Sequence, residues 1–297
     1  DAAYFLQPHA QGEPKRKLEA ILAKWMSQDQ DVRDQLGATT LAQIAPRAGD
    51  SGVEMMLTWL ETTKKPANVV DKIVAANADE KNEKIDAALA SAISKRADAE
   101  HPNLDPQTLM ALRRLTHENL APYLERAILD PESPAELVDS AMDIYARSMG
   151  EKATPLFAKL VAEKDGLLRW VAATRLIEIR GKSGVLAAAK ALPLEPASYA
   201  KPEPDSFKKE SEIFCNFVDT ELKEQGIETA EDVVKNLLQS ERWPAQVLGL
   251  RCAAITREKS AAPVIEAMKK DRTKIPGWGE DKTIGELAAE VSGELAG

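Results

Sequence analysis

The sequence predicts an all-α fold in which antiparallel helix pairs stack into an α-solenoid. Three observations carry this. Apolar residues recur at helical spacing along most of the chain, the mark of helices with one buried face. Hydrophobic residues reach 44% while aromatics are only 5%, so aliphatic and small side chains fill the core, which suits close helix packing better than a β-sandwich. Local motifs also return at a fixed interval. Proline heads three similar segments, APYLERAILD at Pro122, TPLFAKLVAEKD at Pro155 and APVIEAMKKD at Pro263, the first two 33 residues apart. Gly181-Lys182-Ser183-Gly184-Val185 returns as Gly49-Asp50-Ser51-Gly52-Val53, 132 residues away, four times 33. Helix pairs repeating with a period in the thirties stack so that each unit buries its face only against its neighbours.

The elements follow in order. Residues 1–14, with Pro8, Gly12 and Pro14, read as an extended arm carrying Tyr4, Phe5 and Leu6. The chain begins at Asp1, from which trimming or removal of a targeting segment is expected. Repeats are expected over 15–192. Lys15–Met26 is an amphipathic helix through Leu18, Ile21, Leu22 and Trp25 that caps the stack. Asp31–Ile44 and Val53–Leu60 form a helix pair, with Met55, Met56, Trp59 and Leu60 packing as core. Residues 67–98 give two helices around a polar turn at Asp79–Glu83, and His101–Pro106 is a break. Gln107–Leu115, Asn119–Leu129 and Pro134–Ser148 follow. Pro155 opens a helix through Phe157, Leu160 and Val161, since its missing N–H costs nothing at the first turn. Asp165-Gly166 ends it, and Leu168, Val171, Ala172, Leu176 and Ile179 define the next. Arg180–Gly184 is a turn, with a further helix from Val185.

Pro193, Pro196, Pro202 and Pro204 then exclude helix, making 193–206 an insert. Residues 193–222 hold three lysines against seven acids, a net of −4 within a total of −9. A helix resumes near Ser206 through Phe207, Ile213, Phe214, Phe217, Val218 and Leu222. Residues 207–297 continue the repeats with Glu228–Leu238, Trp243–Ile255 and the Pro263 helix. A turn at Ile275–Gly279 precedes a polar capping helix, Thr283–Leu295.

Residues Asp165-Gly166-Leu167-Leu168-Arg169-Trp170-Val171-Ala172-Ala173 resemble the Asp…Val-Arg…Ala-Ala heart of a HEAT repeat. Asp31-Val32-Arg33 with Leu41 and Ile44 is a second match. Val247, Leu250, Arg251, Ala253 and Ala254 are a third, without a preceding aspartate. The resemblance to the HEAT-like family covers roughly 70% of the chain. It implies a superhelix of helix pairs and says little about function.

The charge balance disfavours nucleic acid. A pI near 5.1 is opposite to the basic footprint that phosphate contacts require, and Lys64-Lys65, Arg113-Arg114, Lys208-Lys209 and Lys269-Lys270 are pairs rather than a stripe. No apolar run is long enough to span a membrane. Cys215 and Cys252 both fall on apolar helix faces. They read either as two buried thiols or as a disulfide tying the insert's helix to the last repeats, which requires an oxidising compartment.

No catalytic or metal constellation emerges. Gly49-Asp50-Ser51-Gly52 lacks the second glycine and the strand of a nucleophile elbow. His9, His101 and His117 lack metal-ligand spacing, and no cofactor is expected. The leading expectation is a non-enzymatic scaffold or assembly subunit that docks a protein partner. Tyr123, Lys159 and Glu266 lie off their helices' apolar stripes as candidate exposed contacts; Tyr199 and Phe207, in and after the insert, are further candidates. An insert that merely crosses an edge and packs its aromatics into the core is the competing expectation. The HEAT-like resemblance also admits an enzyme, of the DNA-base glycosylase or bilin-lyase type. The third alternative is an exported subunit of a bacterial cell-envelope complex, with the periplasm slightly favoured over the cytoplasm.

Overall fold

A computed structural model describes residues 12–28, 50–64, 66–77, 83–100, 106–113, 115–199, 205–227, 229–279 and 282–297. The class is all-α. Among these residues the single β-type feature is an isolated bridge between Lys274 and Thr283. The chain divides into two compact units, Asp1–Met149 and Gly150–Gly297.

The first unit contains α1 (Glu13–Met26), α2 (Asp50–Thr62), α3 (Pro66–Asn77), α4 (Glu83–Glu100), α5 (Pro106–Leu112), α6 (Ala121–Leu129) and α7 (Ala135–Met149). α2 packs on α3 and also on α4, α3 on α5, α4 on α6, and α5 and α6 on α7. Met56, Trp59 and Leu60 of α2 are buried together with Val69, Val70 and Ile73 of α3, as the helical spacing predicts. A 3-10 turn at Glu118–Leu120 enters α6. Its Asn119 side chain donates to Ser91 Oγ at 3.0 Å and accepts at its backbone carbonyl from Ser94 Oγ at 2.7 Å, tying the turn to α4. The expected arm (except 12–14), the Asp31–Ile44 helix and most of the breaks at 79–83 and 101–106 lie outside the described residues.

The second unit contains α8 (Thr154–Glu163), α9 (Gly166–Arg180), α10 (Lys182–Ala191), α11 (Ser206–Glu224), α12 (Glu231–Leu238), α13 (Trp243–Thr256), α14 (Ala262–Met268) and α15 (Ile284–Ala296). Sequential partners pack, α8 with α9, α9 with α10, α12 with α13 and α14 with α15. Alternate ones pack as well: α8, α10, α12 and α14 form one series, and α9, α11, α13 and α15 the other. The three proline-headed segments enter their helices alike. Pro122, Pro155 and Pro263 lie in the first turn of α6, α8 and α14, each behind a 3-10 turn and a helical N-cap residue without a side-chain cap.

The Gly-x-Ser-Gly-Val motif is a helix start rather than the expected turn. α10 begins at Lys182 and α2 at Asp50. Only Gly181 separates α9 from α10, at φ 53°, where a Cβ is strained. Gly184 sits where the two helices touch: a Cβ there would lie 2.0 Å from the Leu176 carbonyl oxygen. α15 is capped by Thr283, whose hydroxyl accepts from Glu286 N while Glu286 reaches back to the Thr283 N–H, a capping box.

Candidate docking surface and the cluster beneath it

Prolines leave a segment rich in carbonyls with few backbone donors, so the 192–199 stretch depends on side-chain donors, its own Tyr199 and three from other elements. Four side chains supply them. Arg242 donates to Leu192 O, the Tyr199 hydroxyl to Pro193 O at 2.5 Å, Trp243 Nε1 to Leu194 O at 3.1 Å and Arg169 to Ser198 O at 2.9 Å. Tyr199 then wedges among aromatics. Its ring centroid lies 4.5 Å from Phe207 and 5.0 Å from Trp243. Phe207 also meets Trp278 edge-on, and Trp170 lies 5.3 Å from Phe214. Gly277 seals this cluster: a Cβ there would lie 2.2 Å from Tyr199 O. Burial pushes the Tyr199 hydroxyl's pKa up, against the pull of the Arg169 and Arg242 charges.

This overturns the expectation that Tyr199 and Phe207 contact a partner. Both have 0% exposure, because the segment folds back and carries its aromatics into the core. Tyr123 is corrected likewise. At 1% exposure it is core of α6; apolar packing takes its ring although it lies off the helix's aliphatic stripe. Lys159 and Glu266 are exposed as expected. Lys159 pairs with Glu163 at 3.9 Å. The Lys269 ammonium, 2.5 Å from Glu266, holds that carboxyl below its usual range. Cys215 and Cys252 are joined in a disulfide that ties α11 to α13, and both are fully buried.

Arg169 organises the cluster. It is 1% exposed, donating through Nε to Val161 O at 3.2 Å and through Nη2 to Asp165 Oδ1 at 3.0 Å. Val161 O is among the last carbonyls of α8, which have no intrahelical donor, so the arginine closes one helix while starting the next. Its guanidinium carbon lies 5.1 Å from the Tyr199 ring centroid. Glu210 of α11 is the nearby carboxylate that sequence reasoning passed over. Burial raises its pKa above the ordinary 4.5; Trp170 and the Arg169 charge pull it down, and Asp165 pushes it up.

The solvent face over this cluster is apolar. Leu167 of α9 is 72% exposed and Ile213 of α11 67%. Val171 and Phe217, one turn further along each helix, are half-buried. The two helices run in the same direction: Trp170 packs on Phe207 and Phe214 near their starts, and Gly181 meets Gln225 at their ends. Ile213 belongs to the apolar set that marks its helix in sequence, yet it faces solvent: an apolar residue that is exposed looks no different in sequence from one that is covered.

Among the described residues no group of three His, Cys, Asp or Glu side chains converges as a metal site, and no helix is long and apolar enough to cross a membrane. No family model matches the chain, and no curated protein is significantly similar to it.

Proposed function

We propose that the chain is a non-enzymatic, protein-binding scaffold or assembly subunit, built as a HEAT-like α-solenoid that offers helix faces to a partner. The repeated entry at Pro122, Pro155 and Pro263, each a 3-10 turn into a proline-headed helix, carries this reading. It is the local signature expected when one helix-pair unit is used several times, and the two packing series of the second unit agree with it. The ion pair between buried Arg169 and exposed Asp165 falls on the residues that resemble the HEAT heart. The test is in-cell photocrosslinking of the intact chain, with a photoreactive side chain at Lys159, Val171 or Glu266 in turn. A discrete protein adduct from at least one position is expected; absence of any protein adduct at all three overturns the reading.

The disulfide favours the exported version of this subunit, because such bonds persist in oxidising compartments. Thiol titration of protein isolated from its host without reductant is expected to find none, and two free thiols would remove the export proposal.

A further inference from the structure

We propose that the Cys215–Cys252 bond is installed by thiol–disulfide exchange with a disulfide-bearing oxidant while α11 and α13 are still apart, and that the folded chain is closed to that exchange in both directions. The inference stands on the placement of the two sulfurs and goes beyond the docking reading, which does not depend on it.

The chain contains two cysteines, so they pair within it in one way only and no reshuffling among sulfurs is needed. What the pair does need is an acceptor for two electrons, and the chain has no further sulfur of this kind to take them. A disulfide donor supplies it. One cysteine thiolate attacks a donor sulfur and expels the donor's other sulfur as a thiolate. The second cysteine thiolate then attacks the chain's own sulfur in this mixed disulfide, forming the Sγ–Sγ bond and releasing the donor's remaining sulfur as a thiolate. The two cysteine protons pass through solvent to the donor sulfurs. The chain is oxidised by two electrons and the donor is reduced by two.

Each of these attacks needs contact between sulfurs, and the folded chain offers none. Both cysteines are 0% exposed, and Val218 of α11 and Leu248, Leu250 and Ala253 of α13 are as deeply buried. Cys215 Sγ lies 3.5 Å from the Leu248 carbonyl oxygen, a backbone atom that cannot swing away. α13 packs against α11, α12 and α15. It has no slack toward α12, since a Cβ on Gly249 would lie 2.9 Å from Leu238 N. A donor's sulfur therefore reaches neither cysteine unless α11 parts from α13. The apolar surroundings also disfavour the thiolate that must attack. Oxidation thus comes before closure, and after closure the bond is out of reach of a reductant until the helices separate.

The experiment uses the full, oxidised chain and dithiothreitol as the reductant, with thiols alkylated at intervals and counted by mass. In guanidinium the bond is expected to be reduced as fast as the reagent allows. In native buffer it is expected to be reduced at least about a hundredfold more slowly, because opening of the fold and not exchange sets the rate. The reverse direction uses the reduced chain with oxidised glutathione as the donor. Once refolded, with circular dichroism showing its helices, it is expected to re-form the bond at least about a hundredfold more slowly than it does in guanidinium. A reduced chain that does not refold also places oxidation ahead of closure. A ratio below about a hundredfold in either direction overturns the proposal, since the donor or the reductant would then reach the pair in the folded chain. These rates are measured on the isolated chain, so they stand or fall separately from its export and its partner.

Discussion

Arg169 and Arg251 stand in similar sequence surroundings on α9 and α13, a leucine before each and an Ala-Ala pair soon after. Arg169 has an aspartate four residues earlier and is 1% exposed, with its donors spread over two backbone carbonyls and a carboxylate. Arg251 has no such aspartate. Its partner, Glu212, comes from α11, and that side chain is 53% exposed. One arginine is therefore a joint between a helix end, the next helix and the proline-rich segment. The other, only 16% exposed itself, reaches a single half-exposed carboxylate and leans on Trp278. The difference teaches that the leading aspartate marks the copy whose arginine is drawn inward, where its hydrogen bonds lose no competition with water.

Thermal or denaturant unfolding sharpens this comparison. Arg169→Leu leaves Val161 O and Ser198 O without their donor, at a cost of about 1–3 kcal/mol for each. Arg251→Leu breaks a solvent-screened pair worth about 0–1 kcal/mol. The first variant is expected to lose several kcal/mol and the second little. Equal losses would show that the two arginines do the same job.

The Cys215–Cys252 bond closes a span of 37 residues around α12 and joins α11 to α13. Chain entropy alone assigns such a loop about 4 kcal/mol. Cys215→Ala/Cys252→Ala is expected to lower the unfolding midpoint clearly in non-reducing buffer. The same midpoint for both proteins would mean that the α11–α13 joint is held without help from the disulfide.

Gly184→Ala tests the α9–α10 crossing. Alanine is favoured over glycine in a helix by about 1 kcal/mol. Here its Cβ would meet the Leu176 carbonyl at 2.0 Å, a backbone atom that cannot rotate aside, so overpacking of about 1–3 kcal/mol or more is expected to win. A stabilised variant would show that the crossing relaxes easily.

These positions also show what sequence could and could not convey. Helix class and most boundaries were legible because they are local: proline in a first turn, Thr283 with Glu286 three residues on, and the stop at Pro193. The Gly-x-Ser-Gly-Val motif was legible as punctuation but not as a helix start, since what fixes Gly184 is the backbone of another helix. Of the two expectations for Tyr199 and Phe207, core packing holds and partner contact does not, because donors 29 to 50 residues distant in sequence, Arg169 and Trp243 among them, draw the proline segment inward. Ile213 shows the opposite case, an apolar residue of its helix that lies exposed. A helical stripe shows that apolar residues share a face and not that anything covers them.

The smallest effect concerns Glu210, half-buried beside Trp170 and Arg169. Burial raises the folded-state pKa of Glu210 above its ordinary value of 4.5. A carboxyl with a raised folded pKa contributes stability below its unfolded pKa, and that contribution is lost as pH rises through the folded value. At neutral pH the ionised Glu210 is therefore a slight liability to the fold. Glu210→Gln removes the ionisation, so the variant is expected to unfold at a slightly higher temperature than the parent at pH 7, with the advantage vanishing near pH 4. A variant that loses stability at pH 7 would show that the ionised carboxylate is held by Trp170 and Arg169, a structural member of the Arg169 cluster.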